Sequence, residues 1–242
     1  MLALRSSTDP VVLSYYTMRG MVGLLALALP FFLAAGSILA ALLVTGHLPH
    51  PLLQCSISDY YYTPMRDLYI GSLCAIAAFF AFSRGYDLHD KITGYLAAVC
   101  ALGVACFPSF NPRCSQYTPE DFAFGLIHTA FAALMYLMLA YICIFQFRKS
   151  SPEKSFTRRK RDTNLIYAAS GLIMVACMVA MVGLTLLSTV ERRHPSHWLF
   201  WCEAAANCAF GIARLTKGEG FMRDEQHMPD QLAGCRGDVV SS

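Results

Sequence analysis

Six long apolar segments constrain this chain more than any motif within it. Apolar residues make up 56% of the 242 residues and charged residues only 14%, a composition typical of proteins that lie in lipid. A helix needs about 20 mostly apolar residues to cross the hydrocarbon core of a bilayer. The qualifying segments run over residues 21–45, 66–84, 92–109, 122–147, 164–188 and 197–216. The sequence therefore predicts an all-α fold, a polytopic membrane bundle of six transmembrane helices.

The first apolar segment follows Arg5 and Arg19, as the core of a cleaved signal peptide would. Its length of about 25 residues exceeds the about 7 to 15 expected of such a core, which predicts a retained helix. The organisation that follows is a short N-terminal segment at 1–20, a transmembrane domain at 21–217 and a flexible tail at 218–242.

Lys and Arg are distributed unevenly between the two sides of the predicted bundle. With six spans both termini lie on one side, and of the 19 Lys and Arg only Arg66, Arg113, Arg192 and Arg193 belong to the other side, which leaves fifteen with the termini. Lys and Arg are enriched in cytoplasmic loops, so we predict that both termini are cytoplasmic and that the protein lies in a plasma or bacterial inner membrane.

The net charge of +3 is too small to indicate nucleic acid as a partner. The basic run at 157–161 lies between two predicted spans and is typical of a cytoplasmic anchor. Membrane lipid is the expected partner, and the sequence does not indicate an oligomeric state.

Polar residues collect at the outer face of the predicted bundle. The stretch CSISDYYYTPMRDLYIG, residues 55–71, ends the first outer loop and opens the second helix. It brings to that face Ser58, Asp59, Tyr61, Arg66 and Asp67.

Three polar residues lie inside the apolar segments near the same face. His128 lies about two turns into the fourth helix and Glu203 about two turns into the sixth, with Asn207 one turn further on the same side. An ionisable group inside lipid costs about 2.5 to 3.5 kcal/mol, so these side chains should face the interior of the bundle. We expect them to converge with the residues of the 55–71 stretch.

Three interpretations of this convergence remain open. In a structural network, Arg66 pairs with Asp67 or Glu203, and His128 donates to a carboxylate or a carbonyl. In a lipid headgroup or small-amphiphile pocket, Arg66 contacts an anion because its planar guanidinium binds phosphate or carboxylate bidentately. The residues of that pocket would be Ser58, Asp59, Tyr61, Arg66, Asp67, His128, Glu203 and Asn207.

The third interpretation is an intramembrane hydrolase or transferase that acts on lipid. Its catalytic candidates are Asp59, Asp67, His128 and Glu203, with His128 as a base oriented by a carboxylate or with the set holding a metal. The sequence has no HxxxH, HExxH or GxSxG motif and no phosphate-binding loop, so no metal or cofactor is predicted. A transporter or channel ranks last, because the inner halves of most helices offer few polar partners for a continuous path.

The cysteines suggest one disulfide. Most of the ten fall in predicted helices, where Cys packs as a small apolar residue. Cys55 and Cys114 fall in two different outer loops, where an oxidising compartment would allow a bridge that ties the loops together.

Three motifs carry a resemblance to known membrane proteins. ISDYYYTPMRDLYIGSLCAI at the second helix, IH at 127–128 and CEAAANCAFGIARLTKGE in the last helix resemble a group of uncharacterised bacterial six-helix membrane proteins. More distantly, the chain is similar to the eukaryotic damage-regulated autophagy modulators and GPI-anchor lipid-remodelling proteins. The residues that fall on the shared pattern are Ile57, Ser58, Asp59, Pro64, His128, Glu203 and Gly211. The resemblance implies a membrane protein linked to lipids, and we expect a non-enzymatic lipid-binding role first and the hydrolase second.

Overall fold

The computed structural model describes residues 10–83, 87–111, 117–149, 158–187 and 197–226. In these ranges the chain is all-helical, without a strand, which confirms that the fold is all-α. Its α-helices are α1 (Pro10–Thr45), α2 (Arg66–Phe82), α3 (Leu88–Cys106), α4 (Pro119–Tyr141), α5 (Arg158–Leu187) and α6 (Trp198–Gln226). A short 3-10 helix (Ser58–Tyr62) precedes α2, and a π-helical turn (Ile142–Gln146) extends α4.

The helices form a closed ring. Each helix packs against its neighbours in sequence, and α1 packs against α6 to complete the ring. The connections gather at two ends of the bundle. At one end, which we call the Ser58 end, the segment between α1 and α2 meets the segment after α3, where the Tyr62 hydroxyl donates to the Ser109 carbonyl over 2.6 Å. The same segment meets the start of α6, where the Phe200 amide donates to the Cys55 carbonyl over 2.9 Å.

The opposite end of the bundle, which we call the Lys149 end, is held together by ion pairs. Lys149 follows the π-helical turn, and its ammonium donates to Asp87 over 2.9 Å and to Asp90 over 2.6 Å at the start of α3. The hydrogen bonds that Lys149 donates to Asp90 and Asp87 raise its pKa to about 12. Asp87 is also the N-cap of α3, since its carboxylate accepts from the Asp90 amide.

Three helical stretches in the described part of the chain are long and apolar enough to cross a membrane: Gly20–Thr45, Pro119–Gln146 and Lys160–Gly183. The other helices are shorter or more polar. With 17 residues, α2 is only about 25 Å long, and α6 carries Glu203, Arg214 and Lys217 within its length.

Two helices extend beyond the apolar segments that predict them. The first begins at Pro10, within the predicted N-terminal segment, and the last continues to Gln226, within the predicted tail. A helix is held by its own backbone hydrogen bonds, so it does not have to end where the apolar residues end.

Candidate functional site

The segment before α2 is folded by a reciprocal pair of hydrogen bonds. The Ser56 amide donates to the Asp59 carboxylate over 3.0 Å, and the Asp59 amide donates to the Ser56 hydroxyl over 3.1 Å. This is the arrangement of a capping box, which satisfies the free amides at the start of a helical turn. Asp59 is buried, and burial raises its pKa to about 6 although hydrogen bonds from Ser56 and Ser109 act in the opposite direction.

The start of α6 is attached to this segment through Glu203. Its carboxylate accepts a hydrogen bond of 2.5 Å from the amide of Ile57, and the amide of Ser58 also interacts with it. Successive backbone amides that point towards one anion form a common anion-binding arrangement in proteins. Here the carboxyl group of Glu203 occupies the position that such an anion would take.

His128 joins α4 to the same segment. Its Nε2 lies 3.0 Å from the Ser58 hydroxyl, and its Nδ1 lies 2.7 Å from the carbonyl of Phe107 at the end of α3. A carbonyl can only accept, so Nδ1 carries the proton of the neutral ring. Nε2 is then the acceptor, and the Ser58 hydroxyl donates to it.

Ser58 has further contacts from two other elements. The Tyr69 hydroxyl of α2 lies 3.4 Å from Ser58 Oγ and donates to it. The Ser109 hydroxyl donates to the Ser58 carbonyl over 3.3 Å. Side chains or backbone of α2, α4, α6 and the segment after α3 therefore surround residues 57 and 58.

A small cavity lies beneath this segment, inside the ring of helices. Its volume is about 40 Å³, room for about three water molecules. One part of its wall is polar and the rest is apolar. The polar part consists of Ser58, Tyr69, Tyr136, Glu203 and Asn207, and the apolar part includes Ala26, Leu73, Ile76, Ala132, Leu139 and Phe210.

The structure brings together some of the sequence-predicted site residues. Ser58, Glu203 and Asn207 line the cavity, and His128 lies behind Ser58 and contacts it directly. Asp59 does not line the cavity but fixes the backbone beside it through Ser56.

Arg66, Asp67 and Tyr61 lie apart from the cavity. Arg66 and Asp67 are exposed. The guanidinium of Arg66 donates to the Tyr61 hydroxyl over 2.9 Å and lies 4.5 Å from the centre of the Tyr61 ring. Thus His128 donates to a carbonyl, as the structural-network interpretation expects. Arg66, which that interpretation pairs with Asp67 or Glu203, contacts Tyr61.

The site also contains Tyr69, Tyr136 and the Phe107 carbonyl, which the sequence alone does not identify. Both tyrosines lie within apolar helices, where a buried hydroxyl is a signal that a polar partner is near. The Phe107 carbonyl gives no sequence signal, because every residue has one. Cys114, the predicted disulfide partner of Cys55, lies outside the described residues.

Among the residues that the structure describes, no group of three or more His, Cys, Asp or Glu side chains is placed to hold a metal ion. No protein-family model, curated protein or solved structure matches this chain. The chemistry of the site itself is therefore the basis for its function.

Proposed function

We propose that this chain is a six-span membrane protein with both termini in the cytoplasm, and that the cavity beneath Ser58 binds the polar end of a small amphiphile such as a membrane lipid. The observation that carries the proposal is the cavity itself. Hydroxyl, amide and carboxyl groups form one part of its wall, and aliphatic and aromatic side chains form the rest. An amphiphile has a polar part and an apolar part that match these two surfaces.

Exposed apolar side chains on every helix support the six-span arrangement. Water-soluble proteins rarely expose large continuous apolar surfaces, whereas a bundle in lipid must present them outward. Examples from the successive helices, each about half exposed or more, are Phe32, Phe82, Val99, Leu126, Leu172 and Trp201. In a closed ring each helix has one outward face, so even the shorter helices can contact lipid.

The distribution of basic residues supports the orientation. Among described side chains, the Lys149 end carries Lys91, Arg148, Lys149, Lys160, Arg161 and Lys217, whereas the Ser58 end carries Arg66. Lys and Arg favour the cytoplasmic side. The Ser58 end, and with it the cavity, then faces the outside of a plasma or bacterial inner membrane.

The cavity wall limits which chemical groups fit. It contains the carboxyl group of Glu203 and neither Lys nor Arg. A hydroxyl or a protonated amine can bond there, whereas a phosphate would face a carboxyl group without a compensating cation. Arg66, exposed and held against Tyr61, is the residue that would contact a lipid phosphate outside the cavity.

A cavity-filling variant tests the proposal. Ala132 lines the cavity, so Ala132→Leu should occupy the space and displace the amphiphile without removing a polar contact. Ala130→Leu, on the exposed surface of the same helix, is the matched control. Native mass spectrometry in mild detergent should show a retained amphiphile in the wild type and in Ala130→Leu, and at least tenfold less of it in Ala132→Leu.

Two results contradict the proposal. One is a wild-type protein that emerges from the membrane with no bound amphiphile. The other is equal retention by Ala132→Leu and the wild type. Arg66→Ala tests the phosphate contact outside the cavity separately. Loss of that contact should weaken retention of anionic lipids while the fold is unchanged.

A further inference from the structure

The Ser58 hydroxyl, the His128 ring and the Phe107 carbonyl lie in the order of a nucleophile, a base and the group that orients the base. We infer that Ser58 is the nucleophile of an acyl hydrolase or acyltransferase, with His128 as its base, acting on an acyl ester whose polar end enters the cavity. This inference rests on the proposed binding function and assigns a reaction to the same site.

The two hydrogen bonds have the geometry that such a reaction requires. A nucleophile and its base lie about 2.6 to 3.2 Å apart in serine enzymes, and a third group orients the base. Ser58 Oγ lies 3.0 Å from Nε2 of His128, and the Phe107 carbonyl holds Nδ1 over 2.7 Å. The carbonyl accepts the Nδ1 proton, so the lone pair of Nε2 faces the serine hydroxyl, as a base must.

Ser58 is also more accessible than His128, as a nucleophile should be relative to its base. Ser58 lines the cavity and is partly exposed, so a carbonyl carbon placed there can approach its hydroxyl. His128 is 3% exposed and lies behind the serine. The ring can exchange a proton with Ser58 while the surrounding protein excludes bulk water from it.

The reaction requires an ester and one acceptor, which is water in a hydrolysis and a second alcohol in an acyl transfer. Ser58 Oγ attacks the ester carbonyl carbon while its proton passes to Nε2 of His128, and a serine–acyl bond forms. The alcohol oxygen of the ester then leaves and takes that proton from His128. A water molecule, or a second alcohol in an acyl transfer, next gives its proton to His128 and attacks the acyl carbon, and Ser58 regains its proton as the acid or new ester departs.

Tyr69 is the candidate that stabilises the negative oxygen formed in each attack. Its hydroxyl lies 3.4 Å from Ser58 Oγ and lines the same cavity, so it can donate to an oxygen bound beside the serine. The Ile57 amide cannot stabilise this oxygen in the present arrangement, because it already donates to Glu203. Glu203 is therefore a positioning residue, which fixes the backbone that carries Ser58.

Covalent labelling distinguishes a reactive serine from a serine that is merely hydrogen-bonded. The probe is a long-chain alkyl fluorophosphonate, whose phosphorus forms a bond to an activated serine oxygen as fluoride leaves. Intact mass spectrometry of the full-length protein in mild detergent should show one adduct, and peptide mapping should locate it at Ser58. Ser58→Ala should abolish the adduct, and His128→Gln should slow labelling by about 100-fold or more.

Matched controls separate this effect from general damage. Ser72→Ala removes another serine within the bundle, and His89→Gln removes an exposed histidine. Both should label at the wild-type rate. Thermal unfolding of each variant identifies any that fails to fold. If His128→Gln fails, His128→Asn replaces it, because this variant also lacks the basic ring nitrogen.

The inference is overturned by a folded wild-type protein that forms no adduct, by an adduct on another residue, or by a labelling rate that substitution of His128 leaves unchanged. These outcomes are separable from failure of the proposed function. An amphiphile retained without an adduct keeps the binding role and removes the catalytic one. An adduct at Ser58 without a retained amphiphile supports the nucleophile and contradicts stable lipid retention.

Discussion

Residues 57 to 59 hold the candidate site together, because each of them bonds to a different part of the chain. The Ile57 amide bonds to Glu203 of α6, the Ser58 hydroxyl to His128 of α4, and Asp59 to the backbone of Ser56. Side-chain hydrogen bonds to backbone amides fix a segment that has no regular partner strand or helix. The position of Ser58 is therefore set by several weak contacts that act together.

Asp59 should make stability depend on pH in a characteristic direction. Burial raises its pKa from 3.8 to about 6, so the folded chain binds this proton more tightly than the unfolded chain. The stability from this group is fully present below about pH 4 and is lost as the pH rises through about 6. Relative to Asp59→Asn, which does not titrate, the melting temperature of the wild type should fall by several degrees between pH 4.5 and 7.5.

Asp67→Asn, the same substitution at an exposed position at the start of α2, is the control for the buffer series. A constant difference between the wild type and Asp59→Asn across the same range would show that Asp59 does not contribute in the stated way.

At the scale of the helices, α1 and α6 approach each other closely at two glycines. A Cβ atom added at Gly211 would lie 2.7 Å from the Gly23 carbonyl oxygen and 2.9 Å from the Cβ of Leu27. Small residues let helices in membranes pack backbone against backbone, where dispersion replaces the hydrophobic effect as the driving force. This contact joins α1 to α6 and so closes the ring of helices, and Glu203 of α6 lines the cavity inside it.

Gly211→Ala should therefore destabilise the protein by about 1 to 3 kcal/mol, because the added methyl group meets a backbone atom that can move only with its helix. Gly71→Ala is the matched control, since nothing lies within 4 Å of a Cβ atom at that exposed helical position. There the substitution should stabilise by about 0.5 to 1 kcal/mol. Thermal unfolding in one detergent compares the two variants, and a Gly211→Ala protein as stable as the wild type contradicts the close-contact argument.

At the scale of the whole molecule, the two ends of the bundle differ in chemistry. The Ser58 end is held by hydrogen bonds among backbone, hydroxyl and carboxyl groups, whereas the Lys149 end is held by ion pairs and carries most of the described basic side chains. This asymmetry is the physical basis for the proposed orientation, because basic residues resist translocation across a membrane.

Reporter fusions in a bacterial host measure that orientation. A fluorescent protein fused after residue 242 should fluoresce, and alkaline phosphatase fused there should be inactive, because both would remain in the cytoplasm. Phosphatase fused after Leu52, in the segment between α1 and α2, should be active. The reverse pattern at both sites would show that the Ser58 end is cytoplasmic and would contradict the proposed topology.

Hydropathy and residue chemistry are enough to predict that the six helices exist and which side chains lie at a similar depth in the bundle. Apolar length follows from the thickness of a bilayer, so the segments at 122–147 and 164–188 could be located from hydropathy alone. The cost of an ionisable group in lipid likewise identified His128 and Glu203 as inward-facing candidates. Depth along a helix, however, is known from sequence only to about one turn, or about 5.4 Å.

Which side chains of the candidate site pair with one another depends on how the helices and loops pack. A hydrogen bond tolerates only a few tenths of an ångström, so the path of the loop and the rotation of α4 together select Ser58 as the partner of His128. The same loop path turns Arg66 outward against Tyr61, although sequence alone placed it beside the other polar residues. Composition and length decide where a helix lies, whereas the pairing of side chains depends on how separate elements pack, because that packing fixes the distances between atoms far apart in sequence.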